Sequence, residues 1–137
     1  MPWGSGPNGG FTSGRPWLRM APDVETRSVA IQAADASSVL ATYRRLIWLR
    51  RTHPALQVGA YRRLDTESRD LFAYERATDS ETIVVVVNFG TTPARFRVRT
   101  GRTWTVVFGT GKRAESSFAC DSQLTIDPRE AIILQAE

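Results

Sequence analysis

The stretch Thr82-Ile83-Val84-Val85-Val86-Val87-Asn88-Phe89 decides how the rest of this chain is read. Ile83 to Val87 is continuously apolar, which predicts a central strand covered on both faces. On its C-terminal side, Phe96 and Val98 alternate with Arg95, Arg97 and Arg99. Trp104, Val106 and Phe108 alternate with Thr103, Thr105 and Val107. A period of two is that of a strand with one face on a core and the other in water. Short runs of this kind, separated by turn residues, continue to the end of the chain. They predict strands near Leu56–Val58, Tyr61–Leu64, Leu71–Arg76, Thr82–Phe89, Ala94–Arg99, Thr103–Phe108, Gln123–Ile126 and Ala131–Gln135. The fold class is therefore mainly β, with the spacing of an antiparallel β-sandwich or barrel. Phe72 or Tyr74, Phe89, Phe96, Trp104 and Phe108 fall in its core pattern.

Upstream of Pro54 the pattern changes. Val39, Leu40, Tyr43, Leu46 and Ile47 recur at helical spacing, with Asp35 or Ser37 available as N-cap, and predict one helix over about 36–52. Trp48 and Leu49 widen its apolar face, so the helix is expected to touch two neighbours. Residues 1–34 hold most of the glycine and proline, with Trp3, Phe11 and Trp17 among them, and read as a loop. Large aromatics in a loop of that length need a partner surface. The division is 1–54 for the loop and helix and 55–137 for the β-domain.

Composition excludes several classes. At 137 residues, 42% apolar and 23% charged, the chain is globular. No run approaches the roughly 20 apolar residues of a membrane span, and the N-terminus lacks signal-peptide chemistry, so a cytoplasmic protein is expected. The net charge of +4 invites nucleic-acid binding. Because the arginines are spread along the whole chain rather than gathered on one face, neither nucleic acid nor membrane is expected as a partner. Cys120 is the only cysteine and reads as an inert thiol; no metal site and no cofactor are expected.

Three carboxylate pairs lie close together in the sequence. Retaining glycoside hydrolysis needs two carboxyl groups about 5 Å apart. Asp23 with Glu25, Asp65 with Glu67, and Asp79 with Glu81 each lie in a polar, turn-like stretch and read as solvated charge. The only histidine, His53, follows a helix end, where a structural role outweighs catalysis. Gly109-Thr110-Gly111-Lys112 lacks phosphate-loop spacing and reads as a hairpin turn. No catalytic residue is assigned.

As a whole the chain resembles the C-terminal stretch of α-glucosidases of the oligo-1,6-glucosidase and trehalose synthase type, in glycoside hydrolase family 13. Met1-Pro2-Trp3, Asn8-Gly9-Gly10-Phe11-Thr12 and Gly14-Arg15-Pro16-Trp17-Leu18 are similar to that family's Arg-Thr-Pro-Met-Gln-Trp segment and the pieces after it. Tyr43-Arg44-Arg45-Leu46-Ile47, then Leu49-Arg50-Arg51 with His53-Pro54-Ala55-Leu56, resembles the last barrel helix and its exit. Phe72 to Arg76 and Val86 to Phe89 resemble paired strands of the C-terminal β-domain. Pro2 and Gly4 depart from the family pattern, which leaves linkage and chain length open.

The resemblance implies the end of a (β/α)8 barrel followed by a β-domain, with the missing catalytic barrel as structural partner and an α-linked gluco-oligosaccharide as substrate of the complete enzyme. It implies that the catalytic carboxylates lie upstream of Met1, and that the codons ahead of Met1 read close to Arg-x-Pro. Trp3, Phe11 and Trp17 either wall a sugar pocket or only pin the loop. Hydrolysis, trehalose synthase-type isomerisation or transglycosylation, and a free-standing binding sandwich remain alternatives.

Overall fold

The computed structural model describes residues 2–98, 101–111, 117–118 and 123–137, with backbone alone at 117–118. Cys120, Arg99 and Lys112 lie outside the described residues, and with them the expected inert thiol, the last arginine of the alternating strand and part of the expected hairpin turn. The chain forms two units, Met1–Leu49 and Arg50–Glu137.

The second unit is the β-domain. Its strands are β1 (Ala60–Leu64), β2 (Leu71–Ala77), β3 (Thr82–Asn88), β4 (Ala94–Arg97), β5 (Trp104–Gly109), β6 (Ser117–Phe118), β7 (Gln123–Ile126) and β8 (Ala131–Ala136). Six form an antiparallel sheet in the order β1-β2-β3-β8-β5-β6, and β4 pairs with β7 in a second sheet. Central β3 is covered as its composition demands: Ile83, Val84 and Val86 are fully buried and Val85 nearly so. Leu71 and Ala73 of β2, Val84 and Val86 of β3, and Ile132 and Leu134 of β8 meet Ala94, Phe96 and Ile126 of the smaller sheet in one core. Val98, Trp104 and Val106 complete that core. Burying each valine, leucine, isoleucine or phenylalanine side chain there contributes about 1.5–3 kcal/mol.

Asn88 links the two sheets. Its buried amide donates to the carbonyls of Thr92 (2.9 Å) and Ile126 (3.0 Å), and its Oδ1 accepts from the Gly90 N–H (2.9 Å). The strand ends there, so Phe89, expected inside, is 72% exposed.

The alternation in β5 is interrupted. Val106 pairs with Leu134 and Phe108 with Ile133, leaving Val107 as a bulge. Phe108 is buried but absent from the sandwich core, because the extra residue sends it to the opposite face.

The strand expected at Leu56–Val58 is instead helix α4 (Pro54–Val58), numbered after the three helices described next. Pro54 sits at its first position, where a missing N–H costs nothing, and His53 precedes it in extended conformation. Gly59 closes the turn with its N–H on the Ala55 carbonyl at 3.0 Å.

In the first unit, α1 (Val24–Arg27) and α2 (Val29–Ala34) fall inside the segment read as loop. The carbonyls of Pro2 and Trp3 accept the N–H groups of Val29 (2.8 Å) and Ala30 (3.0 Å), the first two of α2. An Asp23–Arg27 ion pair spans α1. Helix α3 runs Val39–Thr52, starting later than expected. Ser38 caps it, its Oγ accepting the Ala41 N–H at 3.1 Å, while Asp35 accepts from the Ser37 N–H and hydroxyl. Those two bonds, the hydroxyl's first, hold the Asp35 carboxyl below its ordinary value.

Candidate functional site

The loop carrying Trp3, Phe11 and Trp17 is shaped by consecutive left-handed residues. Asn8, Gly9 and Gly10 have φ of 55°, 61° and 77°, a run that only glycine, and asparagine less easily, adopts without strain. The reversal lets the Gly9 carbonyl accept the Trp3 N–H at 2.8 Å. Asn8 Nδ2 then donates to the carbonyls of Thr12 (3.0 Å) and Gly14 (2.8 Å), fixing the next turn. Gly9 is packed so closely that a Cβ there would lie 2.7 Å from Met20 and 2.8 Å from Pro2.

This backbone is ordered by its own bonds, yet it leaves its aromatics outside. Trp3 is 61%, Phe11 57% and Trp17 91% exposed. Phe11 and Trp17 line one cleft of about 580 Å³ with Pro2, Pro16, Leu18 and Met20; Trp3 is not part of its lining. A cleft of that size with apolar walls and two rings suits a small ligand or an inserted side chain.

Two of the paired carboxylates have structural partners. Asp23 is held by Arg27. Glu81, expected in water, is instead mostly buried: His53 Nδ1 lies 2.6 Å from its Oε1, and its Oε2 accepts the Ala55 N–H at 2.8 Å. Gln135 Nε2 reaches the same Oε1 at 3.3 Å. His53 thus has a structural partner, which sequence reading missed because nothing local ties a lone histidine to a glutamate 28 residues away. No helix among the described residues is long and apolar enough to cross a membrane.

The order of the chain's parts has counterparts among known proteins. The family model of the α-amylase catalytic domain matches residues 1–59, and that of the maltogenic amylase C-terminal domain matches residues 61–133. The oligo-1,6-glucosidase of Halalkalibacterium halodurans is 36% identical over 65% of this chain and 16% of its own length. The trehalose-6-phosphate hydrolase of Escherichia coli is 38% identical over 64% of this chain, again 16% of its own length. The crystal structure of trehalulose synthase MutB from Pseudomonas mesoacidophila superposes with a TM-score of 0.81 at 33% identity, covering 98% of this chain and 24% of that one. The chain therefore spans about a sixth of the length of the curated relatives it matches. With more than half of its residues matching the maltogenic amylase C-terminal domain and residues 1–59 matching the α-amylase catalytic domain, the chain belongs to the α-amylase superfamily, glycoside hydrolase family 13.

Proposed function

We propose that the chain works as the C-terminal part of an α-glucosidase that hydrolyses α-glucosidic bonds of short oligosaccharides with retention, and that it contributes architecture rather than a catalytic carboxylate. The observation that carries this reading is the match of residues 1–59 to a catalytic domain and of 61–133 to the domain behind it, with relatives that include an oligo-1,6-glucosidase. Residues 1–54 then close the barrel and 55–137 form the domain behind it. Exposed apolar groups in the first unit fit that role. Val39, Tyr43 and Ile47, spaced four apart on α3, are 67%, 63% and 56% exposed, a stripe of the kind a helix buries against a neighbour. The missing barrel is the partner such a stripe requires.

Within the complete enzyme, Phe11 and Trp17 in their cleft, with Trp3 nearby in sequence, would wall the sugar pocket, since aromatic faces pack on the apolar faces of sugars. The single cysteine accords with residence in the cytoplasm. The isolated chain is expected to release nothing from a chromogenic α-glucoside, because losing the nucleophile alone can cost on the order of 10⁶ in rate. Turnover that survives purification and vanishes on mutating one of this chain's carboxylates overturns the reading. Grafted behind the barrel of the Halalkalibacterium halodurans oligo-1,6-glucosidase, the chain is expected to support hydrolysis.

Isomerisation is a second reading, favoured by the similarity to trehalulose synthase over nearly the whole chain. Both reactions share a covalent glucosyl-enzyme and differ in whether water reaches it. Product analysis of the complete enzyme, this chain joined to its own barrel, on sucrose separates them: monosaccharides report hydrolysis, a rearranged disaccharide reports isomerisation.

A further inference from the structure

Glu75 stands where the inner face of β2 leaves the sandwich core. Leu71 and Ala73 precede it on that face and are buried, and its partner on β3 is the fully buried Val84. A carboxylate in such a row is costly unless something binds it. Arg62, its cross-strand partner on β1, does so with two bonds, Nε to Oε1 at 3.1 Å and Nη2 to Oε2 at 3.0 Å. The hydrogen bonding first, and the carboxylate's charge second, hold the Arg62 guanidinium above its ordinary value.

The pair does not seal the end of the sandwich. Glu75 keeps 13% of its side-chain surface, and it lines a cleft of about 450 Å³ together with residues of β1, β3, β4 and β7. The two bonds use only part of the pair's capacity, since a guanidinium has five N–H donors and a carboxylate roughly four acceptor positions. Among the described residues lining the cleft, Arg62, Arg95 and Arg97 are balanced by Asp65, Glu67 and Glu75. Leu64, only partly buried against the core, supplies apolar surface, and Gln123 adds an amide that both donates and accepts.

Donors and acceptors gathered beside an apolar side chain, with their charges balanced, suit the hydroxyl groups of a sugar ring. We propose that this cleft binds a neutral polyhydroxylated ligand of roughly one or two sugar rings, a carbohydrate site carried by the β-domain itself. The inference stands on the cleft alone and does not depend on the α-glucosidase reading.

The test is an amide-resolved NMR titration of the full chain with maltose, and in parallel with inorganic phosphate. Saturable shifts are expected from maltose at Arg62 to Glu67, Glu75 and Gln123. Glu75→Gln is expected to weaken the dissociation constant about tenfold, the effect of losing a hydrogen bond to a charged group. Glu67→Ala, at an exposed loop position, keeps the domain folded and is expected to weaken binding as well, which covers the case in which Glu75→Gln fails to fold. No saturable shift at these residues, shifts confined to residues 2–21, or a response to phosphate in place of maltose overturns the proposal.

Discussion

Glu81 organises the junction between α4 and the sheet, receiving His53, the Ala55 N–H and Gln135 on two oxygens. Glu81→Ala leaves those partners short of an acceptor in a mostly buried place, and is expected to cost about 1–3 kcal/mol in a chemical denaturation curve. A neighbouring position is limited by space instead. A Cβ on Gly59 would lie 2.5 Å from the Ala55 carbonyl oxygen and 3.0 Å from the Ala77 nitrogen, both backbone atoms that cannot rotate away. Gly59→Ala is therefore expected to lower the unfolding midpoint, although alanine in an unstrained site usually stabilises. At this scale the sequence was only partly legible. His53 at a helix end was readable as structural, but Glu81 looked like any carboxylate in a polar turn, since a bond across 28 residues leaves no local trace. Trp3, Phe11 and Trp17 were conspicuous for the opposite reason: large rings among glycines have nothing nearby to bury them.

Elements were legible where one periodicity held from end to end. The run Ile83–Val87 announced a strand covered on both faces, and the alternation through Phe96 and Val98 announced which face of β4 is inside. Shorter pieces escaped. Helix α2 takes its first hydrogen bonds on the carbonyls of Pro2 and Trp3, more than two dozen residues upstream, so its own composition does not declare it. Strand β6 has only two residues, too few for any pattern. The start of α3 shows how near a local reading can come: Asp35 and Ser37 were both plausible caps, yet Ser38 holds the Ala41 N–H. Ser38→Ala is expected to cost about 0.5–2 kcal/mol, read as lost helical signal and an earlier thermal transition in circular dichroism. In the sandwich, Trp104 is fully buried, and Trp104→Ala is expected to cost about 3–5 kcal/mol through lost contact and the cavity left behind.

Across the whole molecule, order follows burial. Among the described residues before Asp35, only Pro2, Gly9 and Ser28 are buried, whereas β3 is buried from Ile83 to Val86 and again at Asn88. Limited proteolysis is accordingly expected to cut first before Asp35 and to leave Thr82–Asn88 intact; early cleavage inside β3 with a protected N-terminal segment contradicts that order. The bulge at Val107 bears on how this domain tolerates changes in length. Pairing resumes on its far side with Phe108 opposite Ile133 and Gly109 opposite Ile132, one regular step after Val106 opposite Leu134. Excising Val107 restores an unbroken ladder in which Val106 and Phe108 keep the faces they already occupy. Removing Val85 instead reverses every side chain of β3 beyond the cut, sending core residues outward. A single-codon deletion is thus survivable at one point of the sheet and ruinous at its centre. Among homologues of different length, an amino-acid gap would accumulate at Val107.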